Sequence, residues 1–136
     1  MAGFWVRHLD ELPLVPTDDP ADFDWYPVQH HLGLGAFGIN AFGGDTGTVL
    51  VAEHDERESD QEELYVVIEG TVEFTLGGES RRANAVSFVA LPDPAVTRSA
   101  VAAEDGTLLL AVGAPRGSGF RTTWNQDNFG QVPRAE

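Results

Sequence analysis

The 136-residue chain contains no cysteine and no lysine, and only one methionine. Without cysteine there can be no disulfide, no thiolate metal site and no cysteine nucleophile. A transition metal would have to be held by imidazole and carboxylate groups, and only four histidines are present: His8, His30, His31 and His54. Without lysine, Schiff-base chemistry on a lysine amine is excluded. No window reaches the roughly 18 consecutive apolar residues that a membrane-spanning helix requires. The N-terminus, MAGFWVRHLDEL, is charged within its first dozen residues and has no apolar run of signal-peptide length, so a cytoplasmic protein without a membrane partner is expected. Bases are scarce: 8 arginines face 22 acids, for a net charge of −14. Such a surface repels phosphate backbones, and no nucleic-acid partner is expected.

What the chain does have is turns. Gly43-Gly44-Asp45, Glu69-Gly70, Gly77-Gly78, Pro92-Asp93-Pro94, Asp105-Gly106 and the Gly113 to Gly117 stretch punctuate short runs rich in Val, Phe, Leu and Thr. These runs are 47-GTVLVAEH-54, 63-ELYVVIE-69, 71-TVEFTL-76, 85-AVSFVA-90, 95-AVTRSAVA-102 and 107-TLLLAVG-113. The pattern predicts an all-β sandwich or barrel. A helical turn is allowed only near 8-HLDEL-12, and 13-PLVPTDDPADFD-24 reads as an irregular surface arm. The segment 32-LGLGAFGINAF-42 suits a strand whose glycines admit a close backbone neighbour. Its G-x-G-x-x-G spacing is not a nucleotide fingerprint, because it opens no helix. The expected organisation is an N-terminal strand and arm over 1–30, a barrel over 31–124 and a polar tail over 125–136.

The runs on either side of Gly70 read as a hairpin, with glycine supplying the positive φ. In the first of them Glu63, Tyr65 and Val67 share one face and Leu64, Val66 and Ile68 the other. Both faces are largely apolar. Glu63 is then a carboxylate at the end of a half-buried row, which is costly unless it is paired, hydrogen-bonded or on a metal. Arg57 and Arg98 are its candidate arginine partners.

Here 54-HDERESDQEELYVVIEG-70 resembles the cupin family, in which a histidine pair is followed by a glutamate, six residues and a glycine; Glu63 and Gly70 match the second half. The resemblance covers roughly residues 47 to 117 and implies an all-β fold, the double-stranded β-helix or jelly roll. The first half departs from it. Strict spacing puts the histidine positions on Arg57 and Ser59, or on Glu56 and Glu58, and the third histidine position on Thr97 in 92-PDPAVTR-98. If 57-RESDQE-62 holds an insertion, His54 and Glu56 stand in for the pair. His54, Glu56 and Glu63 would then be a ligand set for a divalent metal such as Fe, Mn, Ni or Zn. His30 and His31 are adjacent, so on a strand they would point to opposite faces and could not both contribute.

The resemblance implies a small-molecule ligand in the barrel mouth, with Tyr65, Val67, Phe74, Phe88, Thr97 and Arg98 as expected lining. The expected function is small-molecule binding without a standard cupin metal site. The alternatives are a metal-dependent enzyme of dioxygenase or isomerase type using His54, Glu56 and Glu63, a metal-free acid–base enzyme pairing His54 with Glu63 or Asp55, and a scaffold. A homodimer is expected, with the run 4-FWVRHL-9 as a strand exchanged between subunits.

Overall fold

A computed structural model describes residues 3–120 and 129–135. Part of the polar tail expected over 125–136 therefore lies outside the described residues. Two antiparallel sheets make up the molecule. Strands β1 (Asp24–Tyr26), β2 (Gly38–Gly44), β4 (Gln61–Glu69), β7 (Ser87–Leu91) and β9 (Thr107–Pro115) form a five-stranded sheet in the order β1-β2-β9-β4-β7. Strands β3 (Val49–His54), β5 (Thr71–Leu76), β6 (Glu79–Asn84) and β8 (Arg98–Ala102) form a four-stranded sheet in the order β3-β8-β5-β6. Among the described residues, no helix is long and apolar enough to cross a membrane.

The core lies between the sheets because each strand turns alternate residues inward. Leu50 and Val51 of β3, Tyr65 and Val67 of β4, Val72 and Phe74 of β5, Ala100 and Ala102 of β8, and Leu109 and Ala111 of β9 pack into one cluster. The rings of Tyr65 and Phe74 meet across the gap with centroids 5.9 Å apart.

Gly70 does not close a hairpin. The strands on either side of it belong to different sheets: β4 pairs with β7 and β9, and β5 with β6 and β8. A single-residue link is shorter than the two-residue minimum of a paired hairpin, so the chain turns a corner between the sheets instead. Gly70 sits at φ 77°, and a Cβ there would run into Thr107. The true hairpin follows at Gly77-Gly78, with φ of 57° and 85°, joining β5 to β6. Positive φ at both central residues is what a two-residue hairpin turn demands.

Leu9–Glu11 is a single 3-10 turn capped by His8, within the 8–12 stretch where a helical turn is expected, and residues 4–8 form no strand within the chain. His30 and His31 lie on a short helix, α1 (Val28–Leu32), not on a strand, so the expectation of opposite strand faces does not apply; both are exposed.

Candidate functional site

His54 ends β3, Glu56 follows it in the loop, and Glu63 stands near the start of β4, so the site joins the two sheets at one end of the barrel. One ligand atom from each of the three residues lies within 4.8 Å of the others. His54 Nε2 is 2.9 Å from Glu56 Oε1, and His54 Nδ1 is 2.8 Å from the Ala52 carbonyl. Both ring nitrogens of His54 thus face acceptors, the Ala52 carbonyl and the Glu56 carboxylate, and the two contacts fix the orientation of the ring. Ser59 Oγ donates to Glu56 Oε2 at 2.6 Å, fixing the second carboxylate oxygen.

Two ligands at right angles, each about 2.1 Å from a metal, stand about 3.0 Å apart. The His54–Glu56 separation of 2.9 Å is that of a hydrogen bond between the two side chains, so both are already close enough to share an ion. The donor set of one imidazole and two carboxylates suits a borderline divalent cation, so this group could hold a metal.

Arg98 belongs to the same constellation. Its side chain is 1% exposed, and its Nη1 donates to Glu63 Oε1 at 3.1 Å. The remaining donors are taken up by carbonyls: Nε and Nη2 reach Val96 O at 3.1 and 2.8 Å. In the β3–β8 ladder Arg98 is the residue directly across from His54. Counting along the sequence put the third ligand position on Thr97; the strand pairing places Arg98, its neighbour, opposite His54.

The three residues line a cavity of about 530 Å³. Its other walls are Phe23 and Trp25 from the arm and β1, Asn40 and Phe42 from β2, and Tyr65, Ala111 and Gly113 from the central strands. Phe23, Trp25 and Phe42 make a connected aromatic wall, with the Phe23–Phe42 rings edge to face at 5.4 Å. Trp25 Nε1 donates to Asn40 Oδ1 at 3.0 Å, which fixes the indole. Among the described residues, no arginine side chain lines this space. Burial, followed by the adjacent Glu63 carboxylate, pushes the Tyr65 phenol well above the ordinary tyrosine range, with Arg98 opposing. A cavity of about 630 Å³ at the opposite end of the barrel has a rim of Asp22, Asp24, Asp45 and Glu69 and no histidine.

Of the residues expected to line the ligand space, Tyr65 does so. Val67 and Phe74 are fully buried in the packed core, away from it. Phe88 is a correction: it is 69% exposed, because Ser87, Val89 and Leu91 are the inward positions of β7. Thr97 is half-buried in the turn before β8, where its carbonyl accepts from Gly77 N, and Arg98 stands behind Glu63. Arg57 does not pair with Glu63; it lies in the exposed loop beside Asp55 at 3.8 Å. Phe23, Trp25, Asn40, Phe42 and Gln61 escaped the sequence reading. The alternation of aromatics in 23-FDWY-26 was the available signal, masked by the prolines and aspartates before it.

No protein-family model matches the sequence, and no curated protein does either. Solved structures do match. A cupin protein from Bacteroides fragilis superposes with a TM-score of 0.70 at 18% identity, over 90% of this chain and 93% of that one. KdgF from Halomonas sp. matches with a TM-score of 0.62 at 24% identity, over 79% of this chain and 91% of its own. A sugar phosphate isomerase from a cupin superfamily, from Silicibacter pomeroyi, matches with a TM-score of 0.64 at 19% identity, over 79% of this chain and 73% of its own. Two stacked antiparallel sheets, a corner glycine after β4 and these neighbours lead to one conclusion: the chain has the double-stranded β-helix fold of the cupins.

Proposed function

We propose that the protein binds a small organic molecule in the aromatic-walled cavity, and that His54, Glu56 and Glu63 take up a divalent cation at its mouth. The observation that carries this reading is the meeting of those three side chains on the wall of the same cavity as Trp25, Phe42 and Tyr65. Apolar walls with a few convergent polar groups are the usual make-up of a ligand site. Mn, Fe, Ni and Zn all tolerate one imidazole and two carboxylates, and such a cation would supply Lewis acidity to an oxygen of the bound molecule. His54, Glu56 and Glu63 would hold the ion, Ala52 and Ser59 would orient the ligands, and the aromatic wall would exclude water from one side of the guest. Among the described residues no permanently cationic side chain stands on the wall, which favours an uncharged guest over a phosphorylated one.

A second reading is a metal-dependent enzyme of dioxygenase or isomerase type. It is favoured by the small number of protein ligands, since three donors leave coordination positions that a substrate and water can fill. In both readings the protein is cytoplasmic and a homodimer.

The test is Mn²⁺ titration of metal-stripped protein by calorimetry, followed by thermal unfolding with a chemically diverse metabolite set. About one equivalent should bind, and His54→Ala should weaken binding by about tenfold or more. A guest at about 100 times its Kd should raise stability by about 2.7 kcal/mol. Wild-type protein that takes up no cation, or binds one as well after His54→Ala, would remove the cation from the proposal. A screen without a single stabilising compound would remove the guest.

A further inference from the structure

We infer that Arg98 is a positioning residue that sets how tightly the His54–Glu56–Glu63 group takes up a cation; this rests on the cation-binding reading above. A free-swinging arginine would be displaced by an arriving ion. Arg98 cannot swing. Its guanidinium is 1% exposed and is held by the loop that precedes β8. Nε and Nη2 donate to the Val96 carbonyl at 3.1 and 2.8 Å, and Nη2 also lies 3.5 Å from the Asp93 and Pro94 carbonyls. One direction is left for Nη1, and it leads to Glu63 Oε1 at 3.1 Å. Arginine cannot lose its proton at any pH the fold survives, so this is a permanent positive charge fixed behind one of the three ligands.

Two effects on the site follow. One oxygen of Glu63 is already engaged, which leaves the other to meet a cation. The charge presented to an ion is also smaller: Glu56 and Glu63 together carry two negative charges, and Arg98 cancels one of them. The same guanidinium keeps the cation-free barrel from burying an unpaired carboxylate, which is otherwise strongly unfavourable. Arg98 therefore lowers cation affinity while stabilising the empty barrel. An uncharged residue on the rung across from His54 would do the reverse: it would leave a tighter site and a barrel that depends on its ion.

The experiment compares wild type with two neutral variants, Arg98→Gln and Arg98→Met, and a charge-retaining control, Arg98→Lys. Mn²⁺ affinity is measured by calorimetry, and the unfolding temperature is measured with and without Mn²⁺. The neutral variants should bind Mn²⁺ at least about tenfold more tightly, the lower bound for removing a unit charge roughly 6 Å from a divalent ion at a water-like dielectric of about 80. Without Mn²⁺ they should unfold at a lower temperature than wild type, and Mn²⁺ should raise that temperature by more than it does for wild type. Arg98→Lys should stay nearer to wild type in affinity. A residue with a structural role alone would weaken binding when replaced, so tightening is the distinguishing result. If wild type binds Mn²⁺ and the neutral variants bind it no more tightly, or if the lysine variant tightens as much as they do, the inference falls and the cation site stands. If no form binds Mn²⁺, the site falls and the inference with it. If neither neutral variant folds even in saturating Mn²⁺, Arg98 serves the fold alone and the inference is overturned.

Discussion

At the scale of single residues, Tyr65 makes the sharpest solution prediction. Its phenol is buried against the Glu63 carboxylate and held above the ordinary value of 10.0. The folded chain thus keeps this proton to a higher pH than the unfolded chain does. Its contribution to stability is complete below about pH 10, and it is lost as pH rises from there towards the folded value. Phenolate absorbance should therefore show Tyr65 ionising only together with alkaline unfolding, and Tyr65→Phe should lose less stability above about pH 10 than wild type. A Tyr65 that titrates in the intact fold with an ordinary tyrosine midpoint would contradict the burial described here. Glu63 shows what single residues reveal in a sequence. A carboxylate in an apolar row announces a partner, and Arg98 was one of two arginines within reach of that reasoning. Which of the two it was could not be read, because the choice depends on how the two sheets stack, which brings β4 against β8 although they share no ladder. Phe88 failed for the opposite reason: on an edge strand, hydrophobicity does not reveal which face a residue takes.

At the scale of elements, the apolar strands were legible and the polar one was not. The runs containing β3, β4, β5, β7, β8 and β9 all stand out by β-branched and aromatic content. Strand β6, with sequence ESRRAN, lies at the edge of the four-stranded sheet with five of its six residues exposed, and charged residues are what an exposed edge favours. Its pairing comes from the Gly77-Gly78 turn and not from any hydrophobic pattern. Helix α1 is a single turn of five residues, too short to impose a period on the sequence. The corner at Gly70 carries the prediction for this scale. A Cβ there has to adopt φ near 77° and would also press on Thr107, whose hydroxyl accepts from Thr71 N and is itself buried. Gly70→Ala should cost about 2 kcal/mol or more in chemical denaturation, the sum of left-handed backbone strain and displacement of a packed neighbour. Gly78→Ala, at φ 85° with open space around it, should cost less. Equal losses at the two positions would mean that the corner is not specially constrained.

At the scale of the whole molecule, the N-terminal segment is one apolar stretch that the chain leaves uncovered. Phe4, Trp5 and Val6 are 71%, 57% and 78% exposed, and Arg7 lies over the Trp5 ring. Apolar side chains in an extended segment are suited to a second copy of the same surface. Light scattering after gel filtration should give twice the chain mass for the intact protein and a single chain mass after deletion of residues 1–8. A monomer in both samples would remove the homodimer from the proposal. The large acidic excess gives each copy a repulsive field, so association should strengthen as salt is added.

The bridge between Glu63 and Arg98 also joins β4 of one sheet to β8 of the other, at the end of the barrel where the cavity opens. It is therefore a clasp on the doorway as well as a neighbour of the site. A guest that draws Glu63 towards itself would pull on the seam between the two sheets as well as on the site.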